Sequence, residues 1–163
     1  MFKPAVLSGA LAIVLGGSLV LAQEAEGTVG DTIAARRLIM NRLASLQVLI
    51  ETRLAASEYS SELSDLGQAA AASLDAFAVL LPPDSNLLGG APAVAGAETT
   101  AAAAIWDDLP AFQQLLRDTA SQARAAANSA DIAAFEFEWD RVAAACTSCH
   151  ETYVFYDPFA AVN

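Results

Sequence analysis

The stretch ACTSCHE, residues 145–151, contains both cysteines and the single histidine of the 163-residue chain. Cys146 and Cys149 are three residues apart, and His150 directly follows the second cysteine. This Cys-x-x-Cys-His spacing is typical of the covalent attachment of a c-type haem. On a helix, both thiols would face one side and each could form a thioether with a haem vinyl group, while His150 would lie under the iron as its proximal ligand. The stretch therefore predicts a site for one haem c.

Other kinds of site also use closely spaced cysteines. A disulfide between Cys146 and Cys149 is the competing product in an oxidising compartment. It does not require His150, and a redox-active Cys-x-x-Cys is expected after a strand rather than on a helix near the C terminus. A zinc site would need a fourth ligand, and the sequence contains no other cysteine or histidine. A chance arrangement in an apolar helix is the last alternative, and haem attachment is the interpretation that uses all three residues.

The first 22 residues predict a secretory signal peptide that is cleaved before Gln23. Lys3 supplies the positive start, the run from Ala5 to Leu21 is apolar, and Ala22 supplies a small residue at the cleavage site. An uncleaved membrane anchor is the alternative, but the run is short for a span of about 20 residues and contains glycines. We therefore expect residues 23–163 to form one exported, periplasmic domain without a membrane segment.

The expected mature chain is strongly acidic. The sequence has eight basic and 19 acidic residues, which gives a formal charge of −11. Lys3 is lost with the signal peptide, so seven basic residues remain against 19 acids and the formal charge becomes −12. Such a surface repels nucleic acid and anionic membranes and favours encounters with basic proteins. We expect no binding to nucleic acid or to membranes, and partners with basic docking surfaces.

The rest of the chain is rich in alanine, and its apolar residues recur at spacings of three and four, which predicts amphipathic helices. Asp31 and Asp131 are expected to cap the first and last helix, and Pro110 is expected in the first turn of the third. The last helix would bury a stripe that includes both cysteines. The first two predicted helices cover residues 31–56 and 61–81. The third is predicted to begin near Trp106 or Asp107, and the fourth directly after Asp131. The stripe on the fourth helix consists of Phe135, Trp139, Val142, Cys146, Cys149 and Tyr153.

The segment from Pro82 to Ala101 separates the second helix from the third. It is rich in proline and glycine and shows neither helical nor strand periodicity over most of its length. A connection of this length can carry the chain across one end of a helical bundle. Four helices with two short links and one longer link predict an all-α, antiparallel four-helix bundle.

These features resemble the class II cytochromes c, the cytochrome c′ family. The resemblance covers essentially the whole expected mature chain, and its most specific part is the Cys-x-x-Cys-His-x-x-Tyr motif from Cys146 to Tyr153. Ile105-Trp106 at the start of the third helix is a weaker similarity. One position departs from the family pattern: a basic residue usually follows the motif tyrosine, whereas this chain has Val154. Properties of the proximal haem side that depend on that charge are not expected here.

The resemblance places Met40 where relatives carry the distal residue, opposite the histidine ligand. With Met40 as sixth ligand, the protein would resemble a low-spin cytochrome c-556 type and act as a one-electron carrier between redox partner proteins. With Met40 as a packing residue, the iron would be five-coordinate and the protein would bind NO or CO. Arg36, one turn earlier, either pairs with a haem propionate or is an ordinary solvated arginine.

Electron transfer is the function predicted from the sequence, and gas binding is its alternative. Enzymatic activity is not expected, because the sequence shows no nucleophile–base pair and its one histidine is assigned to iron. Relatives often form dimers through the first two helices, and the alanine-rich faces of this chain would allow the same homodimer.

Overall fold

The computed structural model describes residues 27–155, and these residues form a bundle of four long helices. The predicted all-α, antiparallel four-helix bundle is confirmed. The predicted signal peptide, residues 1–22, lies outside the described residues. Within residues 27–155, no helix is both long and apolar enough to cross a membrane. The helices are α1 (Val29–Ala55), α2 (Ser61–Ala78), the single turn α3 (Ala104–Asp107), α4 (Leu109–Ala127) and α5 (Ile132–Tyr153).

The core lies where the apolar stripes of the long helices meet. On α5, Phe135, Trp139 and Val142 are buried as predicted, whereas Cys146, Cys149 and Tyr153 are half-buried at the edge of the core. The α2–α4 pair packs closely because Gly67 has no side chain: a Cβ there would lie 3.0 Å from the Cβ of Ala127. Buried residues on the other helices include Leu46 and Ile50 of α1, Leu63, Ala70, Leu74 and Phe77 of α2, and Phe112, Leu116, Thr119 and Ala123 of α4.

The start of α1 differs from the prediction. Thr28, not Asp31, is the N-cap residue, and its hydroxyl accepts a hydrogen bond from the Asp31 backbone N–H at 3.1 Å. Asp31 completes a capping box, because its carboxylate accepts from the Thr28 backbone N–H and hydroxyl at 2.9 and 2.7 Å. These hydrogen bonds lower the pKa of Asp31. The prediction for Asp131 is confirmed, since its side chain accepts from the Ala134 N–H at the start of α5.

The expected third helix is divided into two pieces. The turn α3 ends at Asp107, and Asp108 leaves the helical conformation with φ −141° and ψ 69°. The Asp108 side chain then caps α4 by accepting from the Ala111 N–H at 3.1 Å. Pro110 lies in the first turn of α4, as predicted, where its missing N–H costs no helical hydrogen bond.

The second helix ends three residues earlier than expected. Pro82 restricts Leu81 to extended conformations, which excludes Leu81 from the helix. The helix α2 ends at Ala78, with Val79 as its C-cap, and the Leu80 N–H then donates to the Phe77 carbonyl at 3.0 Å. The connection then forms two 3₁₀ turns, Pro83–Ser85 and Leu87–Gly89.

The far end of this connection is fixed to the end of α5. The Ala102 N–H donates to the Tyr153 carbonyl at 2.9 Å, and the Phe155 N–H donates to the Thr100 carbonyl at 2.7 Å. The connection is therefore attached to the bundle immediately after the helix that carries the Cys-x-x-Cys-His motif.

Candidate haem-binding site

The motif lies on the C-terminal half of α5. Cys146 and Cys149 are free, half-buried thiols, and His150 is exposed. Because the two cysteines are three residues apart on a continuous helix, they share the face that packs against the core cluster. The helix thus presents two thiols and one imidazole to the same region of the bundle.

Two cavities adjoin this face of α5. The first has a volume of about 120 Å³ and is lined by Cys146 as well as by residues of α1, α2 and α4. The second has a volume of about 400 Å³ and extends toward the connection and the C-terminal end of α5. Met40, Cys149 and His150 line both cavities. The structure therefore brings together Met40 and the three motif residues, which are more than a hundred positions apart in the sequence.

The two cavities have different chemical character. Aliphatic and aromatic side chains, such as Leu74, Leu116 and Trp139, make up most of the lining of the first cavity. The lining of the second cavity includes two arginines, Arg36 and Arg37, and several polar residues of the connection. Haem has an apolar ring and two carboxylates at one edge. An apolar cavity next to the thiols, followed by one with cationic side chains, fits such a group.

Arg36 lies in the second cavity as a buried cation, with 4% of its surface exposed. Its Nη1 donates to the Ser85 hydroxyl at 2.9 Å, and its guanidinium carbon lies 5.5 Å from the ring centroid of Trp106. The removal of water by burial lowers the pKa of this guanidinium. The alternative of an ordinary solvated arginine is therefore wrong.

Burial also controls the chemistry of the thiols. It raises the pKa of Cys146, and together with the neighbouring Cys146 it raises the pKa of Cys149 to about 11. The thiolate is the form that attacks a disulfide, and redox-active Cys-x-x-Cys pairs depend on a lowered pKa. The environment of these cysteines therefore disfavours the redox-active alternative.

The comparison with protein families decides between the remaining interpretations. A family model described as Cytochrome C' matches residues 31–154, which is most of the chain. The chain belongs to the cytochrome c′ family. Members bind haem c covalently, so this cytochrome c′ is a monohaem c-type cytochrome with an iron centre. No match was found among the curated proteins.

Solved structures agree with this cytochrome c′ fold. A cytochrome c′ from Thermochromatium tepidum has 24% sequence identity and a TM-score of 0.63, with 81% of this chain and all of that chain covered. A cytochrome c′ described as having an unusual ligand-controlled dimer dissociation has 19% identity and a TM-score of 0.70, with the same coverage. At these identities the likeness shows the fold alone.

Three features of this cytochrome c′ site were not visible as functional signals in the sequence. Ser85 lies in a segment without periodicity, yet it is fully buried against Arg36. The ring of Trp106 lies over the Arg36 guanidinium, whose carbon is 5.5 Å from the ring centroid. Val154, where relatives carry a basic residue, pairs with Ala101 in an isolated bridge. Only the placement of the connection reveals these contacts.

Proposed function

We propose that this cytochrome c′ binds a small diatomic gas, NO or CO, at a five-coordinate haem. Cys146 and Cys149 are the covalent anchors, and His150 is the protein ligand of the iron. When bound, haem c would supply an iron that can accept or release one electron and bind a gas molecule. The observation that carries the proposal is the environment of Met40, which packs against the hydrophobic core and lines the same cavities as His150.

Met40 is half-buried on α1 and packs against the hydrophobic core. Methionine commonly fills irregular gaps in such cores. In this role the side chain supplies an apolar wall that excludes water from the cavity beside His150. The match to the cytochrome c′ family model supports the same assignment. A structural relative is described as having a ligand-controlled dimer dissociation.

The three motif residues would hold the haem in two different ways. Two thioethers, one from each cysteine, would fix its position and orientation on α5. His150 would then not have to retain the haem alone, and its imidazole would serve as a ligand of the iron.

Electron transfer is a second candidate, and one specific observation favours it. Met40 lines both cavities together with His150, and it is the one methionine of the expected mature chain. A His150/Met40 pair would raise the haem potential and allow a change of oxidation state with little rearrangement. The acidic charge of the chain would then favour redox partner proteins with basic docking surfaces.

Spectroscopy of the purified holoprotein separates the two candidates. We expect a high-spin ferric signal by electron paramagnetic resonance and prompt binding of CO after reduction. A low-spin ferric spectrum with a methionine-type charge-transfer band, and a ferrous spectrum little changed by CO, would contradict gas binding and establish the second candidate.

We also propose where the protein acts and how it assembles. Residues 23–163 would act in the periplasm after cleavage of residues 1–22, since haem is joined to cysteines outside the cytoplasm. Two exposed leucines of α1, Leu38 and Leu49, supply apolar surface for a homodimer. A catalytic reaction is not part of the proposal.

A further inference from the structure

The buried Arg36 guanidinium has no carboxylate partner among residues 27–155. The four ion pairs in this part of the chain involve Arg53, Arg124 and Arg141 instead. Glu98 lines the same cavity but forms no ion pair with Arg36. A buried charge without a counter-ion is costly, so the way in which the chain holds this one requires an explanation.

The connection between α2 and α3 supplies acceptors for one end of the guanidinium. Nη1 donates to the Ser85 hydroxyl at 2.9 Å and to the Leu80 carbonyl at 3.4 Å, and Nη2 donates to the Ser85 carbonyl at 3.4 Å. The Ser85 hydroxyl gives its own proton to the Pro82 carbonyl at 2.7 Å. Because that proton is already donated, the Ser85 oxygen faces Arg36 purely as an acceptor.

These bonds leave a defined part of Arg36 free. A guanidinium has five N–H donors, and the connection uses both on Nη1 and one on Nη2. The Nε–H and the second Nη2–H have no acceptor among the described residues. These two donors lie on the same edge of the planar group, and such a pair matches the two oxygens of a carboxylate.

We propose that Ser85 is a positioning residue for the haem. It holds the Nη1 end of Arg36 on the connection, so that the Nε–Nη2 edge stays in the second cavity as a receptor for a haem propionate carboxylate. Trp106 covers one face of the guanidinium and limits its rotation. The connection, through Ser85, thereby fixes a positive charge beside the haem.

The proposal has a measurable consequence for the haem potential. A fixed cation near the haem favours the ferrous state, which carries one positive charge fewer than the ferric state. In Ser85→Ala the guanidinium loses its strongest acceptor and turns toward solvent. We therefore expect a lower midpoint potential for the Ser85→Ala holoprotein than for the wild type in a spectroelectrochemical titration.

Ser73→Ala is the matched control. Ser73 is buried on α2, its hydroxyl donates to the Ala69 carbonyl of the same helix, and it forms no hydrogen bond with Arg36. This variant should keep the wild-type potential. An equal shift in both alanine variants, or no shift in Ser85→Ala, would overturn the proposal.

A double-mutant cycle tests whether Ser85 acts through Arg36. In an Arg36→Leu background, Ser85→Ala should cause no further change in potential. A shift of the same size in both backgrounds would show that Ser85 acts in another way, and the proposal would fail.

A second pair of variants covers the case in which Ser85→Ala does not fold. Ser85→Thr and Ser85→Val add nearly equal bulk and differ in the hydroxyl. The threonine variant should have a higher potential than the valine variant, and equal potentials would contradict the proposal. All these measurements depend on bound haem but not on gas binding, so failure here would leave the proposed function untouched.

Discussion

Met40 is the residue whose chemistry separates the two candidate functions, because it faces the same cavities as His150. Met40→Leu keeps the apolar volume and removes the sulfur. We expect a high-spin ferric spectrum and CO binding as in the wild type, since the side chain acts as a wall. Optical spectroscopy and stopped-flow CO binding would measure both properties.

Met40→Ala is the informative companion to that variant. It opens the wall, so CO should associate several-fold faster while the spin state stays the same. A conversion from low-spin to high-spin iron in both variants would instead identify Met40 as a ligand.

The cysteines allow a prediction about covalent attachment. Cys149→Ala leaves one thioether, from Cys146, so haem should remain on the chain after denaturation but with the optical shift of a single saturated vinyl group. In the double variant Cys146→Ala/Cys149→Ala, haem should be released by acidified organic solvent. Haem staining of a denaturing gel and a pyridine haemochrome spectrum would check both results. Full retention of haem by the double variant would refute the assignment.

The sequence predicts which site residues share one helix. Cys146, Cys149 and His150 lie within five positions of the sequence, and helical geometry alone places them on one side of the helix. The burial of Arg36 was not predictable, because its acceptor Ser85 is 49 positions away in a segment without periodicity. Tertiary packing, rather than local spacing, determines that contact.

The capping box makes the first turn of α1 sensitive to pH. The depressed pKa of Asp31 means that its contribution to stability is present above the unfolded-state pKa and is lost as the pH falls through the folded-state pKa. Thr28→Ala should destabilise the protein by about 1 kcal/mol at neutral pH, as is usual for loss of an N-cap. The difference from the wild type should shrink as Asp31 becomes protonated. Thermal denaturation as a function of pH would measure it.

Asp31→Asn is the control for the charge. In this variant the Thr28 hydroxyl can still accept a hydrogen bond from the backbone N–H of residue 31. The loss of stability caused by adding Thr28→Ala to Asp31→Asn should therefore not depend on pH in the acidic range. If the stability loss caused by Thr28→Ala still depends on pH in the Asp31→Asn background, the pH dependence does not come from the Asp31 carboxylate.

Element positions were predicted well where the apolar period was continuous, and less well at the ends. In the predicted stripe on α5, Phe135, Trp139 and Val142 are buried. The break at Asp108 was missed because a one-turn helix followed by a new N-cap interrupts the pattern for only one residue. Pro82 indicates only that the helix stops before Leu81, and the apolar spacing does not show that α2 ends at Ala78.

For the molecule as a whole, the topology explains why the site needs nearly the entire chain. The first helix contributes Met40 and Arg36, the last contributes the motif, and the connection lines the cavity between them with residues 98–101. Helix periodicity predicts four helices, and the lengths of their links predict an antiparallel bundle. The path of the connection follows from neither, because it depends on backbone hydrogen bonds such as the one from Ala102 to Tyr153.

The outer face of α1 carries the prediction about assembly. Leu38 and Leu49 are 70% and 48% exposed, and their separation of eleven residues, three helical turns, places them on one face of the helix. Burial of this stripe against a second copy would remove apolar surface from water. We therefore expect the wild-type holoprotein to be a dimer in sedimentation velocity experiments. The Leu38→Glu variant should be monomeric, because a dimer of it would bury two carboxylates in the interface.

Phe137→Glu is the control for this prediction. It changes a similarly exposed side chain on α5, and this variant should remain dimeric. A monomeric wild type, or dissociation caused equally by both substitutions, would rule out this face of α1 as the interface.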